Sequence, residues 1–373
     1  MTSSSIVRYA VQGLASIALA RLVIDGSSSD SYLSKMQGGF NNQGLSLLGE
    51  AAHAALQEYE EIEAGKYSFP FNYDIRHPDQ RISGSLSRAL PYFGEAVSTL
   101  RRRSQSAAGS EPEIETWLKG DAYPSYYGNS FHYQSDGWMS SSSANIYETS
   151  TQTLFLGRQD FMQKTALSSI SSFYDKNKST SPSPRPLKVL EIGCGTGRFS
   201  VYLRDSVNSM TGADSLDLTL VDLSPFYLQK ARKNHRDYES FKRRTSRKSV
   251  PDAKVTYVQG NGEELDSLTS EEGYDIVICM YMFHELPPSA RANVAKSMSR
   301  LTKEGGLAVF TDSIQKGDRP VLDDSIGAFK SFNEPFYDTY IEEDVGALFE
   351  ENGMEREEKW LSSVTKTLTF TKK

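Results

Sequence analysis

Short apolar runs alternate with stretches of helical periodicity from Leu187 to the last residue. The runs are KVLEIG, LTLVD, KVTYVQG, YDIVICMY and LAVFTDS, and helical segments such as 226–235 and 290–301 lie between them. This alternation predicts a parallel β-sheet with helices on both faces. Ligands of such sheets bind at the carboxyl ends of the strands, near the point where the strand order reverses.

The end of the chain predicts a departure from the parallel arrangement. A helix is predicted over 340–352 and stops at Gly353, and two strands follow over 358–364 and 366–371. A connection this short joins antiparallel strands, because a parallel crossover needs about a dozen residues or more. We therefore expect an antiparallel strand near one edge of the sheet.

The sequence upstream of Leu187 is mainly helical in pattern. Apolar residues recur at spacings of three and four in three ranges: 45–64, 82–103 and about 143–166. The segment 176–186, KNKSTSPSPRP, has the composition of a linker. The chain of 373 residues is long enough for two domains. We predict a mainly helical domain over 1–180 and an α/β domain over 187–373.

Charge and cysteine content argue against several classes of function. The formal net charge of −7 disfavours a protein whose affinity comes from neutralising nucleic-acid phosphates. The basic run 230–248 is interpreted as a solvated helix face, with binding to nucleic acid or an acidic membrane surface as the alternative. The two cysteines, Cys194 and Cys279, have no zinc or disulfide spacing, so we expect no metal site and a reducing, cytoplasmic location.

The N-terminal run 6–24 is the most apolar segment of the chain. Arg8 and Arg21 interrupt it, so it is too polar for a membrane span. We interpret it as an amphipathic helix that docks on the rest of the protein. An organelle-targeting segment is the alternative reading.

A glycine-rich turn follows the first predicted strand. Gly193, Gly195 and Gly197 come directly after it, and Arg198 stands where the third glycine of the dinucleotide fingerprint G-x-G-x-x-G would fall. The Gly-Lys-Ser/Thr of a phosphate-binding P-loop is absent. A plain strand-to-helix turn is the structural alternative to a nucleotide site.

The acid two residues before this turn narrows the choice of ligand. A pyrophosphate placed here would be repelled by Glu191. S-adenosylmethionine has no phosphate and carries an ammonium and a sulfonium, so the same carboxylate would attract it. The glycines would let the backbone approach the ligand closely.

Two further polar positions fit an adenosine-containing cofactor. Asp222 ends the second strand, where an acid can accept hydrogen bonds from both ribose hydroxyls, although it can also be a structural acid. Asn261 and Gly262 follow the third strand, where a short polar side chain and a backbone amide can meet adenine.

Five motifs in this order resemble the class I S-adenosylmethionine-dependent methyltransferases: VLEIGCGTGRF, LTLVDLSP, YVQGNGEEL, YDIVICMYMFHELP and LTKEGGLAVFTDS. The resemblance covers about 187–373. Within this family, the sequence is similar to a small-molecule branch that carries FHELP after the fourth strand. It implies a Rossmann-like, seven-stranded sheet whose last strand is antiparallel. It also implies contacts from Glu191, Gly193, Gly195 and Gly197 to the methionine end, Asp222 to the ribose, and Asn261 with Gly262 to adenine. Asn261 departs from the aspartate of many relatives.

The methyl acceptor is expected beside the segment that follows the fourth strand. His284 and Glu285 are the proton-handling groups there, and a histidine of near-neutral pKa suits a general base. A thioether acceptor would need no base. The structural alternative is that HELP only starts the next helix.

Residues from other segments are expected to complete the acceptor pocket. The substrate candidates are His132, Tyr133 and Trp138 in a polar-aromatic patch, Asp312 at the end of the fifth strand, and Glu334 and Tyr337 in an aromatic-rich insertion. Aromatic faces can stabilise a sulfonium by cation–π attraction and can form a lid. The alternative is that the patch only packs the helical domain onto the sheet.

The sequence therefore predicts an S-adenosylmethionine-dependent enzyme that methylates a small molecule by direct displacement. One alternative is a quinone or prenyl-lipid carbon methyltransferase in contact with a membrane. Another is a non-catalytic regulatory protein that retains cofactor binding. Neither the acceptor nor the oligomeric state follows from the sequence.

Overall fold

A computed structural model describes the chain from residue 56 onward, with gaps. It covers 56–74, 76–78, 97–99, 101, 123–129, 132, 134, 136–154, 159–177, 185–245, 252–268, 272–327 and 333–373. The predicted N-terminal helix 6–24, most of the helix 82–103, most of the linker 176–186 and the candidate Tyr133 lie outside these residues.

Seven strands form one sheet. They are β1 (Leu187–Ile192), β2 (Ser215–Asp222), β3 (Asp252–Gln259), β4 (Tyr274–Met280), β5 (Thr302–Ser313), β6 (Met354–Ser362) and β7 (Thr365–Lys372). Their order is β3-β2-β1-β4-β5-β7-β6. All pairs from β3 to β5 are parallel, whereas β7 is antiparallel to both β5 and β6. The Rossmann-like α/β sheet and its antiparallel last strand are confirmed.

The strand order reverses between β1 and β4. These neighbours pair in parallel up to Ile192 and Cys279, so their carboxyl ends open onto the same edge. The glycine turn after β1 and the FHELP segment after β4 therefore face one crevice, as expected of a doubly wound sheet.

Eight helices surround the sheet among the described residues. They are α1 (Ser141–Leu154), α2 (Gln159–Lys176), α3 (Arg198–Thr211), α4 (Pro225–Thr245), α5 (Pro288–Leu301), α6 (Asp323–Ile326), α7 (Tyr337–Glu342) and α8 (Val345–Glu350). A short helical segment, 56–63, precedes them. Among the described residues, no helix is both long and apolar enough to cross a bilayer.

Two apolar cores lie on opposite faces of the sheet because strand side chains alternate. In β4, Ile276 and Ile278 join the core beneath α2 and α3, whereas Val277 and Cys279 join the core beneath α5, α7 and α8. In α2, Leu167 is fully buried in the first of these cores. The upstream helix thus shares a core with the sheet, and the division at 180–187 stays a prediction.

Two predicted helices were each too long. The prediction over 143–166 is replaced by α1 and α2, which are separate elements among the described residues. The prediction over 340–352 is replaced by α7 and α8. Glu343 has extended backbone, and the Asp344 side chain accepts a hydrogen bond from the amide of Ala347, which starts a new helix.

Candidate cofactor and acceptor site

The glycine turn has a backbone that other residues adopt only with strain. Gly193, Gly195 and Gly197 have φ angles of 70°, 53° and 66°. Close packing adds to this requirement, since a Cβ on Gly197 would lie 2.9 Å from the Cβ of Ala231. The three glycines are therefore explained by the turn itself, and the turn borders a cavity at the β1–β4 switch point.

Asp222 ties this turn to the end of β2. Its Oδ2 accepts a hydrogen bond from the amide of Gly195 at 2.8 Å, and its Oδ1 accepts one from the amide of Ser224 at 2.8 Å. Burial raises the pKa of Asp222 to about 6. The side chain also lines the cavity, where its remaining acceptor capacity is available to a ligand.

Glu191 lies beneath the turn rather than in the cavity wall. Its side chain is 2% exposed, and burial raises its pKa to about 8 against the opposing effect of a hydrogen bond from Ser200. Its Oε2 has no hydrogen-bond partner among the residues that the structure describes. Direct contact between Glu191 and a ligand stays a prediction, and its expected influence is through charge.

The loop after β3 forms the other end of the cavity. Asn261 and Gly262 line it, and the Asn261 Oδ1 accepts a hydrogen bond from the amide of Glu263 at 3.1 Å. A Cβ on Gly262 would lie 2.8 Å from the Cγ2 of Ile192. Only glycine fits here without displacing the strand, so backbone is exposed to the cavity at this point.

Aromatic residues from upstream and from α4 also line the cavity. Trp138, Tyr147 and Tyr227 pack edge-to-face in pairs, with ring centroids 5.5–5.7 Å apart. Gln134 donates a hydrogen bond to the Tyr227 hydroxyl at 2.9 Å. The predicted candidate Trp138 thus borders the cavity, together with tyrosines that the sequence analysis did not single out.

Five of the predicted site residues form one group, which we call the acid–imidazole cluster: His132, His284, Glu285, Asp312 and Glu334. The Nδ1 of His284 lies 2.6 Å from the Oδ1 of Asp312. The Nδ1 of His132 lies 3.2 Å from Glu334, and its Nε2 lies 3.4 Å from Glu285. The Nε2 of His284 is 3.8 Å from Glu285. Of the five, Glu285 lines the cavity.

The charges of this cluster favour the protonated form of both imidazoles. Burial alone would lower the pKa of His284, but the charge and hydrogen bond of Asp312 outweigh it and raise the pKa to about 10. The pKa of His132 is also raised, because Glu285 and Glu334 outweigh the effect of its burial. A general-base role for His284 stays a prediction, and its pairing with Asp312, which the sequence did not reveal, disfavours that role.

Asp312 and Tyr337 lie behind His284 rather than at the cavity. Asp312 is fully buried and accepts a hydrogen bond from the amide of Phe283 at 3.0 Å. The Tyr337 ring is 2% exposed, and its centroid is 6.1 Å from that of His284. Both residues hold the imidazole in place, so direct contact of either with a substrate is not supported by their positions.

Arg198 has a role that its sequence position did not reveal. It follows the glycine turn and forms ion pairs with Asp160 of α2 at 2.6 Å and with Glu148 of α1 at 2.9 Å. The position that a third glycine occupies in dinucleotide-binding turns is used here to hold the upstream helices. The sequence showed an arginine at this position but did not indicate its ion-pair partners.

Comparison with known proteins supports the assignment of this region. A protein-family model for a methyltransferase domain matches residues 189–306. An uncharacterized methyltransferase of Synechocystis sp. is 30% identical over 125 residues, which make up 34% of this chain and 46% of the relative. A malonyl-acyl-carrier-protein O-methyltransferase of Paenibacillus sp. is 27% identical over 136 residues, 36% of this chain and 40% of that relative. The chain spans less than half the length of these two curated relatives.

A solved structure is also similar. An O-methyltransferase family protein from Burkholderia thailandensis has 12% sequence identity and a TM-score of 0.49, over 76% of this chain and 71% of the other. The family match runs from β1 into β5 and includes the glycine turn, Asp222 and the FHELP segment. The chain therefore carries a methyltransferase domain over residues 189–306.

Proposed function

We propose that this chain transfers a methyl group from S-adenosylmethionine to a small-molecule acceptor by direct displacement. The observation that carries the proposal is one cavity at the β1–β4 switch point. The glycine turn, Asp222 and Glu285 line it, together with an aromatic wall that consists of Trp138, Tyr147 and Tyr227. A donor site and a proton-accepting side chain thus border the same cavity.

The residues around the cavity fit this cofactor. Glu191 lies beneath the turn with an unpartnered Oε2, and the cationic methionine end would favour its ionised form, which in turn attracts the ligand. Asp222 retains acceptor capacity for the ribose hydroxyls, and the backbone at Gly262 is open to the adenine. When bound, S-adenosylmethionine supplies an electrophilic methyl group on a positively charged sulfur.

Glu285 is the residue that we assign to the acceptor proton. Its carboxylate lines the cavity, whereas His284 is protonated and paired with Asp312. His284 and His132 approach Glu285 from two sides, so they orient its carboxylate and do not themselves act as the base. A base at this place is needed when a hydroxyl, thiol or acidic carbon loses its proton.

The aromatic wall favours a partly apolar, water-excluding pocket. Trp138, Tyr147 and Tyr227 present ring surfaces beside the glycine turn. The sulfur loses positive charge in the transition state. Exclusion of water therefore destabilises the charged ground state relative to the transition state and lowers the barrier.

Turnover with a labelled cofactor tests the proposal. The full-length protein is incubated with methyl-labelled S-adenosylmethionine and a metabolite extract, and labelled products are identified by mass spectrometry. Asp222→Ala should abolish the labelled product, because it removes the ribose contact and frees the turn. Asp217→Ala, on the same strand but away from the cavity, is the matched control and should retain it.

The outcome separates an enzyme from a regulatory protein. If S-adenosylhomocysteine binds and no extract component is labelled above a protein-free control, the chain binds the cofactor without catalysis. Labelling that persists in Asp222→Ala would also contradict the assigned site.

A further inference from the structure

Three members of the acid–imidazole cluster present metal-binding atoms to one another. A nitrogen of His132, a nitrogen of His284 and a carboxylate oxygen of Glu334 all lie within 4.8 Å of each other. They come from the upstream loop, the segment after β4 and the segment before α7. Because they are far apart in sequence, their spacing could not indicate this site, and the expectation of no metal rested on spacing alone.

Unpartnered polar atoms mark the same place. The Oε2 of Glu334 is buried without a hydrogen-bond partner among the described residues, and the Nδ1 of His132, although 3.2 Å from Glu334, makes no well-aligned hydrogen bond with them. Glu334 is 3% exposed, so water does not replace the missing partner freely. A buried carboxylate oxygen without a partner is costly, and it indicates a ligand that satisfies it.

Asp312 prepares His284 for metal binding. The Nδ1 of His284 lies 2.6 Å from the Asp312 carboxylate and keeps its proton there, so Nε2 is the ring nitrogen that can exchange its proton for a metal ion. Asp312 is fixed in turn by the amide of Phe283 at 3.0 Å. A carboxylate on the far nitrogen is the usual companion of a metal-binding histidine, because it sets the tautomer and the ring orientation.

The balance of charge in the cluster also favours a bound cation. Three carboxylates, those of Glu285, Asp312 and Glu334, surround two imidazoles. His132 has a φ angle of 56°, which is strained for a residue other than glycine. The backbone thus directs this imidazole toward the acids at a conformational cost.

We propose that His132, His284 and Glu334 bind one divalent transition-metal ion, of which Zn²⁺ is the representative. Two imidazoles and one carboxylate suit Zn²⁺ or Fe²⁺ better than Mg²⁺ or Ca²⁺, which prefer oxygen ligands throughout. Ligand atoms about 2.1 Å from a tetrahedral ion lie about 3.4 Å from one another. Side-chain movements of about 1 Å would bring the three ligand atoms of this cluster to that separation.

The fourth position of the ion would be directed to the neighbourhood of Glu285 and the cavity. His132 and His284 both approach Glu285, at 3.4 Å and 3.8 Å. The expected role is to hold an oxygen or nitrogen of the acceptor beside the methyl donor. This role rests on the proposed function, whereas metal binding itself does not.

Calorimetric titration of Zn²⁺ into the untagged, chelator-treated full-length protein tests the site. We expect one ion per chain, and Mg²⁺ at the same concentration should give no binding. His132→Ala and Glu334→Gln should each weaken Zn²⁺ binding at least tenfold. Asp312→Asn, which removes only the companion carboxylate, should weaken it about 10–100-fold.

His77→Gln is the matched control. It removes a histidine that packs against Phe71 and Phe241 away from the cluster, so Zn²⁺ affinity should not change.

Visible absorption of bound Co²⁺ gives a second readout, and its imidazole-dependent spectrum should disappear in His132→Ala. Circular dichroism establishes that each variant is folded. Zn²⁺ binding that is absent in the folded wild type, or equal in wild type and both ligand variants, would overturn the proposal. Neither result would bear on methyl transfer.

Discussion

At the scale of single residues, left-handed glycines and the carboxylate of Asp222 form the cavity wall beside the turn. The glycines at 193, 195 and 197 all have left-handed backbone, and Asp222 occupies the strand end that the pattern assigned to it. Tyr227 and Tyr147 could not be recognised, because their place at the cavity depends on packing between α1 and α4. The high pKa of His284 likewise depends on a partner 28 positions away in the chain.

Glu191 is expected to lose a proton when the cationic cofactor binds. Burial raises its pKa to about 8, so it is mostly protonated at pH 7.5, whereas Asp222, with a pKa of about 6, is already ionised. A nearby sulfonium and ammonium favour the ionised form and lower the pKa of Glu191. Affinity for S-adenosylmethionine should therefore rise with pH up to about 8.

Calorimetry at pH 7.5 in buffers of different ionisation enthalpy measures this proton. The wild type should release a substantial fraction of one proton per S-adenosylmethionine, and Glu191→Gln should release almost none. Glu272→Gln, at an exposed position, is the control and should behave as the wild type does. Equal release from wild type and Glu191→Gln would show that Glu191 does not sense the ligand.

At the scale of elements, hydrophobic periodicity found the strands more accurately than the helices. The runs KVLEIG and YDIVICMY match β1 and β4 within one residue, because these buried strands are short and bounded by turn residues. The helix limits were wrong for two reasons. The Asp344 cap that starts α8 is a local signal that periodicity does not show, whereas α1 and α2 pack against different partners. Sequence patterns contain little information about such partners.

Arg198 is predicted to be the main electrostatic link between the glycine turn and the upstream helices. Arg198→Ala would leave the carboxylate of Asp160, which is 1% exposed, without its strongest partner. Removing one side of a buried ion pair costs about 3–5 kcal/mol, so the free energy of unfolding should fall by about that amount. Urea denaturation followed by circular dichroism measures the change.

Arg300→Ala provides the comparison for this variant. Arg300 pairs with the highly exposed Asp266, and loss of that pair should change the free energy of unfolding by less than about 1 kcal/mol. If both variants unfold at the same urea concentration, the buried network does not stabilise the fold as described.

At the scale of the whole molecule, the division into domains is the expectation most in need of a test. Leu167 and Ile170 of α2 are fully buried in the core that contains Val189 and Ile276 of the sheet. Burial of these two α2 side chains alone stabilises the structure by about 3–6 kcal/mol. The α/β region is thus expected to depend on the upstream helix for its stability.

A truncation series measures this dependence. The fragment 187–373 should lack a cooperative thermal transition and bind no S-adenosylhomocysteine, because an apolar face of its sheet is exposed. The fragment 56–373 retains the described elements that pack on the sheet, and it should unfold cooperatively and bind the ligand. Cooperative unfolding and full binding by 187–373 would instead support an independent domain beginning at that residue.

The carboxyl groups of Glu191 and Asp222 at the turn after β1 are expected to favour a positively charged sulfur nucleoside over a phosphorylated dinucleotide. Titration calorimetry of the full-length protein with S-adenosylmethionine and with NAD⁺ measures this preference. One S-adenosylmethionine should bind per chain, this binding should be abolished in Asp222→Ala, and NAD⁺ should not bind measurably. Binding of NAD⁺ that is as tight as that of S-adenosylmethionine and is lost in Asp222→Ala would contradict it.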